Sequence, residues 1–531
     1  MRNRLDRFLE RRELSTARVA IRPAHASAAP HDMSERTLSR PEPARSRFEG
    51  LRVTVMGLGL FGGGAATARY LARRGARVTV TDLRSAKELE PALRELASLD
   101  LRFVLGEHRE EDFASTDLVV ANPAVAPSNR YLEIARTSGV AVTSETAMFL
   151  ELCPARIAAV TGTQGKSSTC FTLAQLLEAS GFTVHLGGNI GRSLIESAEE
   201  MRAEDVAVIE LSSYQLEALP RANAVREWEP STASLSVVDS SARPVARVEV
   251  VAVTNVLADH LERHGTIESY AAAKRRILEL AARALGTAVL SAEDPRLATW
   301  REPGVRRVDV FATRASDRGL NFHRGAFRMD REVLGSAADL RLPGEFQREN
   351  TLVALGMARI LGADPVRLSR AIGDVRALPH RLEDLGRRRG HRVWDNGVST
   401  TPDSTISVLG SIAPGCTLMV GGKAKSLPLD ELLAAARGRI RRVIAFGAAA
   451  PSFGEAFRRA GFEAWTAANL EDAVETAFAR MEAGEELLFS PACASFDAYL
   501  NFKERAMAFR RALPPLDVAA AHLTSGRETQ G

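Results

Sequence analysis

The chain has 531 residues, which is too long for one ordinary hydrophobic core and enough for about three domains. Its 45% hydrophobic and 26% charged content is that of a water-soluble globular chain, and no run approaches the ~20 apolar residues of a membrane span. Residues 1–50 hold eleven Arg against seven Asp or Glu, which accounts for the whole net charge of +4, so the basic excess belongs to a tail and argues against a nucleic-acid partner.

In chain order, residues 1–47 mix Arg, Ser, Ala and Pro without a sustained period and read as a disordered basic tail, in which Arg4–Leu14 has the length of one short helix. The opening Met1-Arg-Asn-Arg has no apolar core behind it and is not a secretory signal. Residues 48–152 form a first α/β unit, with strands at Leu51–Met56, Arg77–Val80, Leu118–Val120 and Ala141–Val142. Residues 153–384 form a second, with strands at Ile157–Val160, Thr183–Leu186, Val206–Glu210, Val250–Thr254 and Thr287–Leu290. Within it, residues 221–247 are rich in Ser, Ala, Arg and Pro and read as a surface insertion. Residues 385–515 form a third, with strands at Val393–Trp394, Thr417–Val420, Arg442–Phe446 and Leu487–Phe489, and 516–531 is a second disordered tail. Strands alternating with helices throughout predict the α/β class, with three successive domains and mainly parallel sheets. The four cysteines (Cys153, Cys170, Cys416, Cys493) have neither metal-ligand spacing nor disulfide density and suit the cytoplasm.

The strongest motif runs from Ile157 to Thr169: a buried strand enters Gly162-Thr163-Gln164-Gly165-Lys166-Ser167-Ser168, and a helix starts at once. Backbone N–H groups at a helix N-terminus cradle phosphate oxygens, Lys166 adds a point charge, and Ser167 can ligate Mg²⁺. The common phosphate-loop pattern has a glycine where Val160 stands, so this is the shorter T-G-T-x-G-K-S form. The earlier turn, Gly57-Leu58-Gly59-Leu60-Phe61-Gly62 with Asp82 about 20 residues on, matches a dinucleotide fingerprint. By itself it fits a nicotinamide dinucleotide, another nucleotide diphosphate, or a packing turn. Glu210, at the end of an apolar strand, is a Mg²⁺-ligand candidate, and Asp259 and His260 follow the next strand. On residue type alone His260 is more often a structural histidine, and Lys274 a solvated lysine.

Together these strings resemble the Mur ligase family. The resemblance runs from about Arg52 to Leu513 and includes Leu378-Pro-His-Arg-Leu-Glu383 and Ser490-Pro-Ala-Cys-Ala-Ser495. It implies a Rossmann-like N-terminal domain, a central ATPase-type domain and a Rossmann-like C-terminal domain. It also implies an ATP-dependent amide ligase of the D-glutamate-adding branch, working on UDP-N-acetylmuramoyl-L-alanine in peptidoglycan-precursor synthesis, as a cytoplasmic monomer. Gly162 to Ser168 would then hold ATP and one Mg²⁺, with Glu210 as a further metal ligand. His260 and a carbamylated Lys274 would serve a second Mg²⁺, and Lys166, Glu210, His260 and Lys274 form the catalytic set. Asn350, Arg381 and Asn396 would meet the rest of the nucleotide. Gly57, Gly59, Leu60, Gly62, Asp82, Arg84, Asn122, Asn189, Ser212 and Gln215 would hold the UDP substrate. Thr400, Lys425, Ser495 and Phe502 would hold D-glutamate. The sequence departs from the family at Gln164 for Asn, Ala124 for Gly, Phe346-Gln347 for His-Asn, and Asp395-Asn396-Gly397 for Asn-Asp-Ser. A sister ligase of other amino-acid specificity and a non-catalytic nucleotide-binding relic are the alternatives.

Overall fold

The protein was analysed as a computed structural model that describes residues 47–59, 62–191, 193–219, 247–424 and 428–517. The expected tails (apart from residues 47, 516 and 517), nearly all of the 221–247 insertion, and the site candidates Leu60 and Lys425 lie outside the described residues. Among the described residues, no helix is long and apolar enough to cross a membrane.

The first sheet has strands β1 (Arg52–Met56), β2 (Arg77–Asp82), β3 (Leu101–Leu105), β4 (Leu118–Ala121) and β5 (Ala141–Thr143). Its order is β3-β2-β1-β4-β5 and every pair is parallel. Strand order reverses beside β1, which opens a crevice beyond the carboxyl ends of β1 and β4. The glycine turn after β1 and the loop after β4 flank that crevice.

The second sheet has nine strands: β6 (Arg156–Thr161), β7 (Val184–Gly188), β8 (Val206–Glu210), β9 (Arg247–Val253), β10 (Thr287–Ser291), β11 (Arg306–Phe311), β12 (Leu320–His323), β13 (Ala326–Met329) and β14 (Glu332–Ser336). The order β14-β13-β12-β11-β10-β9-β6-β8-β7 is parallel except for the β12–β13–β14 meander at one edge. Strands β6 and β8 read as unbroken apolar runs because helices cover both faces. One of those helices, Lys166–Ala179, packs along Glu345–Ile360. The β6 strand lies between β8 and β9, so the phosphate loop, Glu210 and the segment after β9 emerge side by side at one sheet edge.

The third sheet has β15 (Glu383–Arg388), β16 (His391–Asp395), β17 (Cys416–Gly421), β18 (Ile440–Phe446), β19 (Glu463–Ala467) and β20 (Leu487–Phe489), in the order β15-β16-β20-β17-β18-β19. Only β15–β16 is antiparallel. It begins at Glu383, two residues before the boundary expected at 385. The strands absent from the sequence reading are β3, β11 to β15 and β19. Most are half-exposed edge or hairpin strands, such as Leu101–Leu105 and Glu383–Arg388, whose charged or polar residues break the apolar run.

One hydrophobic core joins the first two domains, running from Phe48, Phe149 and Leu150 to Leu194, Ile195 and Ile209. A polar seam borders it, where the Tyr70 hydroxyl donates to Glu199 and Arg69 Nε donates to Glu196 at 3.1 Å. The third domain has its own cores, and Phe346 from the central domain packs against one of them.

Candidate active site

The phosphate loop is held from two sides. The Thr163 N–H donates to the Asn255 carbonyl at 3.0 Å and the Gln164 N–H to Asn255 Oδ1 at 2.9 Å. Gly162 (φ 148°) lies so close to Thr254 that a Cβ would collide with its hydroxyl, and Gly165 (φ 83°) faces Asn350 in the same way. Gly165 is the N-cap of the helix Lys166–Ala179 and has no side chain to cap it, so the first N–H groups remain available to anionic oxygens. Lys166 Nζ folds back onto the Gly162 and Thr163 carbonyls at 2.9 and 2.7 Å. Lys274 Nζ donates to the same Gly162 carbonyl at 2.7 Å.

Two ammonium groups therefore share one acceptor. Burial lowers the Lys166 pKa, against the pull of Glu210. Burial, with Lys166 as a like charge, pushes Lys274 down to about 7. Lys274 is 1% exposed, its ammonium 4.5 Å from the centre of the Tyr270 ring, and is far from the solvated lysine that residue type favours.

Glu210, at the buried end of β8, accepts from Ser167 Oγ at 2.6 Å and from Asn189 Nδ2 at 2.8 Å. These three residues set hard oxygen donors beside the loop, a set suited to Mg²⁺. His260 follows β9 in a left-handed conformation (φ 53°), half exposed, with Nδ1 3.3 Å from the Tyr214 hydroxyl. Among the described residues, Asn350 Nδ2 and Arg381 Nε near the loop are buried without a partner, as is Thr161 Oγ1 directly before Gly162. Burial lowers the Arg381 pKa while Glu210 raises it, so that guanidinium senses the same carboxylate. Unpaired buried donors beside an uncapped helix N-terminus fit a polyphosphate.

In the first domain, Asp82 accepts from the Gly59 N–H at 3.1 Å and the Arg84 N–H at 2.9 Å, and Asn122 Nδ2 donates to the Gly57 carbonyl at 3.3 Å. The glycine turn, Asp82, Arg84 and Asn122 thus form one unit at the crevice beside β1. Residues 51–144 match the model of the Mur ligase MurD-like N-terminal domain, and residues 160–358 that of the Mur ligase middle domain. A protein of Roseiflexus sp. named UDP-N-acetylmuramoylalanine--D-glutamate ligase is 35% identical over 483 residues, covering 88% of this chain and 98% of its own. A protein of the same name from Geobacter metallireducens is 35% identical over 468 residues, with 87% and 97% covered. The chain belongs to the Mur ligase family.

The crystal structure of the UDP-N-acetylmuramate-alanine ligase MurC from Thermotoga maritima shares this fold with a TM-score of 0.54 at 17% identity, over 87% of this chain and 98% of that one. Against the Mur ligase expectations, the structure brings Gly162 to Ser168, Asn189, Glu210, Lys274 and Asn350 together around the loop. Ser212 and Gln215 serve each other as a capping box: the Ser212 N–H donates to Gln215 Oε1 at 2.9 Å and the Gln215 N–H to Ser212 Oγ at 3.2 Å. Phe346, where the family commonly has histidine, is an interdomain packing residue. Asn396 is 2% exposed and occupied at both ends of its amide, accepting from the Leu382 N–H at 3.2 Å and donating to Ser490 Oγ at 3.0 Å. Asp395 accepts from His380, Arg510 and the Gly397 N–H. With both groups engaged, neither presents a free polar atom to a ribose in this conformation. His380, Glu383 and Asp395 lie within reach of one ion, but Arg510 donates to both carboxylates and already occupies an oxygen of each.

In the third domain, Thr400 follows Ser399, Ser495 is buried after Ala494, and Phe502 opens the helix Phe502–Ala512. All three adjoin a residue absent from the sequence reading, Arg505. Its buried guanidinium donates to the carbonyls of Gly421, Cys493, Ala494, Gly397 and Ser399 at 2.8–3.3 Å. It ties together the loops that carry the amino-acid-site candidates. The signal was present: Phe502, Arg505, Ala506 and Phe509 share one helical face, and a charge on an otherwise apolar face needs buried acceptors.

Proposed function

We propose that this Mur ligase joins the carboxyl group of UDP-N-acetylmuramoyl-L-alanine to the amino group of D-glutamate at the expense of ATP, as a monomer in the cytoplasm. The observation that carries the specificity is the match to relatives bearing that name, 30–35% identical over 86–89% of this chain. The four free, buried thiols agree with a reducing compartment.

A carboxylate is a poor electrophile. Its oxygen attacks the γ-phosphorus of ATP, ADP leaves, and an acyl phosphate forms. The amine then attacks the acyl carbon, the tetrahedral adduct expels phosphate, and the nitrogen gives up a proton to leave the amide. Phosphoryl transfer of this kind depends on positioning and charge neutralisation. The uncapped N–H groups of the helix Lys166–Ala179 would hold phosphate oxygens, and Lys166 would turn from the Gly162 and Thr163 carbonyls to the β- and γ-phosphates. Arg381 and Asn350 each carry an unpaired buried donor for the nucleotide. Ser167 and Glu210 would hold one Mg²⁺, and His260 with Lys274 a second. Bound Mg²⁺ supplies positive charge to the phosphate oxygens. Lys274, with a pKa of about 7, is substantially neutral near neutral pH, the form that attacks CO₂ to give a carbamate. The N-terminal crevice would hold the uridine diphosphate through the turn 57–62, Asp82, Arg84 and Asn122.

The test is phosphate release from ATP with UDP-N-acetylmuramoyl-L-alanine and a panel of amino acids. D-glutamate should support turnover, and Lys166→Ala should lower it by at least ~100-fold, the scale of losing a charge that stabilises the transition state. Turnover with another amino acid and none with D-glutamate would refute the specificity. Nucleotide binding without turnover on any amino acid would favour the relic.

A further inference from the structure

The short helix Leu261–His264, which starts at His260, carries an arginine that reaches out of its own domain. Arg263 Nη1 donates to the Ala124 carbonyl at 3.1 Å and Nη2 to the Val125 carbonyl at 3.1 Å. Both carbonyls belong to the loop after β4 in the N-terminal domain. That loop is itself fixed to the glycine turn, because Asn122 donates to the Gly57 carbonyl and accepts from the Ala124 N–H at 3.0 Å. On the other side, Arg263 Nε donates to Glu217 at 2.9 Å, and the guanidinium lies 5.1 Å from the centre of the Tyr214 ring. The Tyr214 hydroxyl in turn donates to Glu262 at 3.1 Å and lies 3.3 Å from His260 Nδ1. The Arg263 N–H donates to the His260 carbonyl at 3.1 Å, so the two residues move as one turn of helix. A planar guanidinium can hold two carbonyls and a carboxylate at once in fixed directions, which a lysine cannot.

We propose that Arg263 is a positioning residue that couples occupancy of the nucleotide-sugar crevice in the N-terminal domain to the placement of His260 in the central domain. The inference rests on the reading of that crevice as the UDP-substrate site. A ligand that orders Gly57, Gly59 and Asn122 orders the Ala124 and Val125 carbonyls, and these fix the Arg263 helix and His260. Beside Arg263, the half-exposed, left-handed His260 meets Tyr214 and the Tyr270 ring within the central domain and the surface carboxylates of Asp259 and Glu262 on its own segment, and Arg263 is what ties that turn to the N-terminal loop. Phosphoryl transfer would then be assembled only when the acceptor's nucleotide is bound.

The test uses the full chain with Arg263→Ala and Arg263→Lys. Amide hydrogen exchange of residues 256–264 is followed with and without UDP-N-acetylmuramoyl-L-alanine, together with the Kd of that ligand, kcat, each KM and the thermal midpoint. In the wild type, the ligand should slow exchange in 256–264. Arg263→Ala should lose that protection and about 30- to 100-fold in kcat, the scale of an ~1 Å misplacement, while the ligand's Kd and the KM for ATP stay within about threefold. Arg263→Lys should fall between, at least about fivefold down in kcat, because one ammonium cannot replace both carbonyl contacts and the carboxylate pair. Ligand-induced protection and kcat that persist in folded Arg263→Ala overturn the proposal. If that variant does not fold, wild-type kcat and protection in Arg263→Lys overturn it. A wild type that does not bind UDP-N-acetylmuramoyl-L-alanine refutes the reading of the crevice instead, and a wild type that binds it without protecting 256–264 refutes the coupling alone.

Discussion

Lys274 is a buried cation whose hydrogen-bond acceptor is shared with a second cation, and that conflict fixes its pH behaviour. With a folded pKa of about 7 against an ordinary 10.5, the unfolded chain binds more protons than the folded one between those values. Stability from this group therefore rises as pH climbs from about 7 towards 10, and its full cost is present below 7. In protein free of metal, nucleotide and bicarbonate, Lys274→Met should raise stability at pH 6.5 by on the order of a few kcal/mol. The wild type should gain on the mutant between pH 7 and 10 in urea titrations, and parallel pH profiles would contradict this account. The same residue shows what residue type could not supply. A lysine on a helical run reads as solvated, and only the fold puts Lys274 against Gly162, 112 positions earlier. Arg505 is the reverse case, legible as a charge on an apolar helical face but silent about which five carbonyls it would find.

At the scale of elements, the phosphate loop works because its two ends are conformationally fixed. Gly165 sits at φ 83° against Asn350, so Gly165→Ala meets both backbone strain and a side-chain collision. It should cost roughly 1–3 kcal/mol in denaturant unfolding and remove ATP-dependent phosphate release, and a variant with wild-type activity would show that the loop is softer than described. In the third domain, Arg505→Met takes the guanidinium away from five carbonyls, of which that of Ala494 keeps the Lys423 N–H, and should destabilise by about 3 kcal/mol or more, with a raised KM for the amino acid. An unchanged KM would separate Arg505 from the amino-acid site. The strands buried on both faces, β6 and β8, are plain in the sequence because a sheet covered on both sides demands unbroken apolar runs. The meander β12–β14 is hidden in it, because short strands interrupted by Asn321, His323 and Arg328 show no unbroken apolar run.

At the scale of the whole molecule, the first two domains share one core and a polar seam, whereas the third has cores of its own. Loosening the seam with Arg69→Ala and Tyr70→Phe together removes one contact to Glu196 and one to Glu199, leaving the pairs that Arg73 and Arg74 make with them. The double variant should lower the thermal midpoint by a few degrees, about 1–2 kcal/mol, and raise the KM for the UDP substrate more than that for ATP. Equal effects on both would place the seam's influence elsewhere. The sequence by itself determined the α/β class, the three-domain division, the phosphate loop and the family resemblance. Those properties are local: a strand, a glycine turn and a helix start are written in consecutive residues. Tertiary structure alone decided that Lys166 and Lys274 meet on one carbonyl, that Asn350 lies against Gly165, that Asn396 is locked into packing, and that Arg263 bridges two domains. Each of these joins residues far apart in the chain, and their chemistry follows from burial and from the neighbours that burial brings.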